Sequence, residues 1–199
     1  MKVLVACEFS GIVRDAFIKR GHDAVSCDIL PTAQCGPHIE GDVLDILDEG
    51  WDLMIAHPPC TFLSRAGARW LYPKGTLDSD RYEKLLKGRS FFMKLLNAPI
   101  PKKAVENPTP FKIAKLPEPT QVIQPFMFGE PYSKRTLLWL EGLEPLQSTD
   151  IIHNHSPWLP SNTSGFRKGQ LSQRGKAKNA SEYSLTFPGI AKAMANQWG

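Results

Sequence analysis

Cysteine, glutamate and aspartate side chains stand where this 199-residue chain reads as strands giving way to loops. The most constrained is Cys60, in His57-Pro58-Pro59-Cys60-Thr61-Phe62-Leu63-Ser64. Two consecutive prolines fix φ and remove two N–H donors, so a strand arriving through Leu53–Ala56 must stop there. A thiol on such a stiff turn is placed to attack an electrophile, acting as its thiolate. Free cysteine is also among the most buried residue types, so gap-filling is the competing reading. Glu106 ends a second apolar run, Lys103-Ala104-Val105-Glu106, and Asn107-Pro108 forbids its continuation. Asp28 closes a third run, about twenty residues after the loop Glu8-Phe9-Ser10-Gly11, where an acid can accept hydrogen bonds from a ribose. Asp42 precedes the short helical segment Val43-Leu44-Asp45-Ile46 and reads equally well as an N-cap.

The elements that must position these groups follow from periodicity. Strands are predicted over Lys2–Cys7, Asp23–Asp28, Leu53–Ala56, Lys103–Glu106 and Thr136–Leu140. Ile12, Val13, Ala16 and Phe17 mark one face of a helix that stops at Gly21. Asp80–Leu96 is a longer helix with a stripe of Leu85, Leu86, Phe92, Leu95 and Leu96, and Ile190–Trp198 is a terminal helix opened by Phe187-Pro188-Gly189. The alternation is that of an α/β doubly wound, mostly parallel sheet with helices on both faces, whose ligands bind beyond the carboxyl ends of the strands. The loop after the first strand carries one glycine and does not match GxGxxG, so it is a weak nucleotide signal by itself.

Length and an ordinary balance of apolar and charged residues fit one globular domain over residues 1–199. No apolar run reaches membrane-spanning length, so no membrane partner is expected. Cys7, Cys27, Cys35 and Cys60 show no CxxC spacing, which predicts reduced thiols and a cytoplasmic protein. From 144 to 184 no periodicity persists, and the segment reads as an irregular insert. It contains Arg167, Lys168, Arg174, Lys176 and Lys178 without an acidic residue between them, either a phosphate-contacting segment or a solvated loop. His153 and His155 offer too few ligands for a metal, and none is expected. A zinc deaminase would need HxE and PCxxC, and neither occurs.

In order and spacing the strand-end residues resemble the DNA cytosine-C5 methyltransferase family. Phe9-Ser10-Gly11 is similar to the family's FxGxG loop, and Pro58-Pro59-Cys60-Thr61-Phe62-Leu63-Ser64 to its PPCQxFS. Glu106-Asn107-Pro108 is similar to ENV, and Gly129-Glu130-Pro131-Tyr132-Ser133-Lys134-Arg135 to GxPQxRxR. The resemblance spans Met1 to about Leu140 and resumes at Leu185. Thr61 replaces Gln, Pro108 replaces Val, Tyr132 replaces Gln, and the family's large target-recognition domain has no counterpart. The small methylase-like proteins of bacteriophage genomes look most similar.

The resemblance implies a Rossmann-like methyltransferase fold and S-adenosylmethionine as cofactor, with DNA, single- or double-stranded, as partner. Cofactor contacts fall on Glu8, Phe9, Ser10, Gly11, Asp28, Ile29, Asp42, Val43 and Pro58. Catalytic roles fall on Cys60, Glu106 and Arg135. Cys60 would add to C6 of cytosine, helped by Arg65 and Arg69 if the loop folds back, while Glu106 bonds N3 and the exocyclic amine. The alternative is a non-catalytic nucleic-acid or cofactor-binding module in which Cys60 is inert.

Overall fold

The computed structural model describes residues 1–159, 182 and 184–199. Its centre is a seven-stranded sheet. In chain order the strands are β1 (Lys2–Ala6), β2 (Asp23–Asp28), β3 (His38–Glu40), β4 (Leu53–Ala56), β5 (Lys102–Asn107), β6 (Gln121–Ile123) and β8 (Thr136–Glu141). Their order across the sheet is β3-β2-β1-β4-β5-β8-β6. β3, β2, β1, β4 and β5 are mutually parallel, and β8 runs antiparallel to both of its neighbours. Ala6 lies beside Cys27 and Ala56, Ala56 beside Val105, and Asp28 beside Glu40. The carboxyl ends of the parallel strands therefore share one edge. β8 enters at that edge, with Leu137 beside Asn107 and Thr136 beside Ile123.

Side chains alternate across the sheet, because successive strand residues point to opposite faces. Val3 and Val5, with Leu53, Ile55 and Leu138, meet helix α1 (Ile12–Ile18) and helix α3 (Pro188–Gln197). Leu4, Met54, Val105 and Trp139 meet helix α2 (Ser79–Leu96) and the 3-10 turn Val43–Ile46 on the other face. This is the Rossmann-like α/β arrangement expected, a mostly parallel sheet covered on both sides.

Asp78 caps α2 by accepting from the Arg81 N–H at 2.8 Å. Its buried stripe is Leu85, Phe92 and Leu95; Leu86, expected to belong to it, is exposed at 43%. Pro188 opens α3, and a Cβ on Gly189 would strike the Phe128 carbonyl, so only glycine lets that helix seat.

Two parts of the expected layout differ. β3 and β6 have no counterpart among the predicted strands; each has three residues, too few to show a period, and each pairs on one side only. Residues 144–159 do not stay irregular throughout. Ser156–Pro157 (β9) pairs in parallel with Tyr132–Ser133 (β7), next to the start of β8. The basic run of Arg167, Lys168, Arg174, Lys176 and Lys178 lies outside the described residues.

Candidate active site

The edge has two halves. The first gathers the ends of β1, β2 and β3. Gly11 takes φ +76° at the start of α1, a left-handed conformation glycine adopts without penalty, and a Cβ there would collide with the Arg14 guanidinium. Glu8 turns inward and is buried. Its Oε1 accepts from Val13 N–H at 2.7 Å and Ser10 Oγ–H at 3.0 Å, and its Oε2 accepts from Arg14 N–H at 3.2 Å. Glu8 thus caps the orphan N–H groups of α1 and gives the Phe9-Ser10-Gly11 loop its shape. Ser10 is spent on the same turn, accepting also from Ile12 N–H at 3.3 Å.

Arg14, which no motif marks, is fully buried. It pairs with Asp15 at 2.8 Å, donates to Ser26 Oγ and Thr32 Oγ1 at 3.2 Å each, and reaches the Gln34 carbonyl at 3.2 Å. The loop between β2 and β3 is tied to α1 through it, and Ala33 N–H also donates to the Phe9 carbonyl at 2.7 Å. A cue existed: Arg14 sits three residues before Phe17, on the face that packs.

Asp28 Oδ1 accepts from Leu30 N–H and Asp42 Oδ1 from Leu44 N–H, each at 3.0 Å. Asp42 is therefore an N-cap, and the second oxygen of each acid takes no hydrogen bond among the described residues. Ile29, beside Asp28, is 76% exposed, whereas Val43 is buried in the core. Asp28 and Asp42 both push up the thiols of Cys7 and Cys27, after burial as the larger cause, with Cys27 reaching about 11. The two acids and two thiols are thus within electrostatic reach of one another.

The second half gathers the ends of β4 and β5 and the start of β8. Two loops are fastened together there. Asn107 Nδ2 donates to the Pro58 carbonyl at 2.9 Å, Phe111 N–H to Leu63 at 2.7 Å, and Arg65 N–H to Thr109 at 2.9 Å. Ser64 and Pro110 form an isolated bridge. Pro58 is buried in this seam. Within the Pro-Pro-Cys loop, Leu63 and Ser64 N–H groups donate to the Cys60 carbonyl at 3.0 and 2.8 Å, so the loop coils into a single turn behind the thiol. These contacts hold half-buried Cys60 and Glu106 on the same edge.

His57, which no motif singled out, lies 3.4 Å from Glu106 Oε2 through Nδ1. Burial, then the Glu106 carboxylate, push the Cys60 thiol up, and Lys134 pulls it down. Burial lowers the Lys134 ammonium, while Glu106 and Cys60 oppose that shift. Among the described residues, the cation acting on Cys60 is therefore Lys134. Arg65, expected to help, is exposed, and the Arg69 side chain lies outside the described atoms. Arg135 is exposed too, one residue beyond Lys134. His57, Glu106, Lys134 and Thr136 line a small cleft closed by Phe187 and Met194 at α3. Above it Tyr132, Trp158 and Phe187 form an aromatic cluster with centroids 4.8 to 5.9 Å apart.

Among the described residues no group of three or more His, Cys, Asp or Glu could hold a metal ion, and no helix is long and apolar enough to cross a membrane. No protein-family model matches the sequence, and no curated protein matches it. A solved structure described provisionally as a DNA modification methyltransferase encoded within a prophage, from E. coli, is similar at a TM-score of 0.49 and 14% identity. The similarity covers 75% of this chain and 51% of that one, so the chain spans about half the length of that protein.

Proposed function

We propose that this protein methylates cytosine at C5 in DNA, using S-adenosylmethionine and a covalent Cys60–C6 adduct. The observation that carries the reading is the meeting of Cys60, Glu106 and Lys134 at the carboxyl edge of the parallel sheet.

The first half of that edge suits the cofactor. It presents acceptors, the unused oxygens of Asp28 and Asp42, which fit the donors of a ribose diol and an exocyclic amine. The same acids would repel a pyrophosphate, which argues against a dinucleotide. Exposed Ile29 offers an apolar surface for a purine ring. Glu8 and Ser10 act indirectly by shaping the loop that carries Phe9 and Gly11, and Val43 and Pro58 by packing beneath the edge. Bound there, S-adenosylmethionine supplies an electrophilic methyl group.

Cytosine C5 is a poor nucleophile until a thiolate adds across C5=C6. Cys60 forms the bond to C6, and the π electrons move to C5. Glu106 faces N3 and the amine, where charge changes as Cys60 adds. Lys134 favours the thiolate, and Arg135, exposed at the rim, is placed for substrate phosphate rather than for the reacting ring. Once C5 carries the methyl group, its proton passes to a base, the C5–H electrons re-form C5=C6, and the C6–S bond breaks to release the Cys60 thiolate. A base in a duplex must first be flipped out, at about a few kcal/mol.

Fluorine at C5 cannot leave as a cation, so DNA containing 5-fluorocytosine, incubated with protein and S-adenosylmethionine, should give a complex that survives denaturation. Cys60→Ser should abolish it, because an alcohol is far less ionised than a thiol. Cys7→Ser, Cys27→Ser and Cys35→Ser should not. Methylation without an adduct, or an adduct that persists in Cys60→Ser, would remove Cys60 from its role. The upward push on the Cys60 thiol favours a second reading, a non-catalytic binding module. It predicts unchanged DNA affinity and no adduct under any of these conditions.

A further inference from the structure

Ionised, Glu106 opposes the loss of a proton from Cys60. Protonated, it stops opposing the thiolate and becomes a donor toward ring N3. A proton on Glu106 therefore helps at both ends of the adding bond.

His57 is a titratable side chain hydrogen-bonded to Glu106, with Nδ1 at 3.4 Å from Oε2. That is long for a hydrogen bond, but such contacts tighten when substrate binds. The other ring nitrogen, Nε2, is fully buried with no hydrogen-bond partner among the described residues. An imidazolium would leave a charged N–H unsatisfied there, which costs more than a neutral one. A neutral imidazole facing a carboxylic acid avoids that cost. Among the described residues, the ionisable groups facing the pair are Lys134 from the turn before β8 and Cys60 from the His57 loop. α3 brings Ile190 and Met194, and Phe187 stands at its start, none of them charged.

We propose that His57 is a positioning residue that shares one proton with Glu106 and hands it over, cancelling the carboxylate charge that faces Cys60. The handover breaks Nδ1–H and forms O–H at Oε2. The imidazole is left neutral, no electrons change owner, and no co-reactant is needed. This deepens the methyl-transfer reading and takes its purpose from it, but it can be tested without DNA or cofactor.

The test is a double-mutant cycle on the full chain, read by iodoacetamide alkylation of Cys60 across a pH series and located by peptide mass spectrometry. Exposed Cys35 is the internal reference. Glu106→Gln should speed Cys60 alkylation near pH 7.5 by no more than about twofold, because the shared proton already cancels most of the carboxylate charge. His57→Asn, which cannot deliver a proton, should slow it by about tenfold, the equivalent of about one pH unit of thiol ionisation, and shift its pH profile upward. In the Glu106→Gln background the same His57 change should do nothing, because coupled residues are not additive. An equal effect of His57→Asn in both backgrounds, or none in either, would overturn the proposal. Fast alkylation of buried Cys27 would mark a misfolded variant, and His57→Gln would then replace His57→Asn. If the cycle is coupled but no 5-fluorocytosine adduct forms, the proton pair stands and methyl transfer falls. If an adduct forms but the cycle is uncoupled, methyl transfer stands and the proton pair falls.

Discussion

The two halves of the sheet edge are built by different means. Around β1–β3 the acids are satisfied close by in sequence: Glu8 by Val13 and Arg14, Asp28 by Leu30, Asp42 by Leu44. Around β4, β5 and β8 the decisive contacts join residues some fifty positions apart, as in Asn107 to Pro58 and His57 to Glu106. A locally built half can keep its shape while its neighbour shifts; the other exists only when three strands are in place. Damage to one half should therefore be separable from damage to the other.

Arg14→Ala should be the most disruptive change. It leaves Asp15, Ser26 and the Gln34 carbonyl without their buried cation, and breaking such a network costs about 3–5 kcal/mol. Chemical denaturation should show the loss, and cofactor affinity should fall with it. Asp28→Ala should leave the fold intact but weaken S-adenosylmethionine binding by about 1.5–3 kcal/mol, the worth of a hydrogen bond to a charged acceptor. Isothermal titration checks it, and an unchanged affinity would take Asp28 out of the proposed cofactor site. Asn107→Ala should cost about 1–3 kcal/mol of stability by orphaning the Pro58 carbonyl. It should slow adduct formation while cofactor affinity stays within about twofold, and an equal loss of both would break the division between the halves.

The smallest effect concerns pH. Burial, Asp28 and Asp42 raise the Cys27 thiol to about 11, so the folded state holds that proton more tightly than the unfolded chain. The resulting stability is present below the ordinary thiol value of about 9 and is lost as pH rises from there through about 11. Melting temperatures should decline across that window, and Cys27→Ala should flatten the decline.

The same division explains what the sequence made legible. Strand ends at Asp28 and Ala56 could be placed, and the one at Asn107 to within a residue, because proline stops and alternation are local rules. Asp42 could be read as a cap for the same reason. The resemblance gives the catalytic role to Arg135 rather than to its neighbour Lys134, and no local rule separates two adjacent residues of like charge. The structure separates them through β8: Lys134 and Thr136 share a side and line the cleft, while Arg135 is exposed. His57 stood in plain view before the two prolines, but its value depends on Glu106, forty-nine residues away, and no spacing rule reports that.

β8 follows β6 in the chain yet lies between β5 and β6 in the sheet. During synthesis β5 and β6 emerge before the strand that must separate them, and β6 pairs with no other strand among those described. A nascent chain that has just released Cys60 and Glu106 therefore still lacks Lys134 and the wall at Thr136. The thiol gains the Lys134 cation only when β8 has been made and slots home. A ribosome stalled before about residue 136 should display a Cys60 that iodoacetamide modifies at the rate of any unstructured thiol.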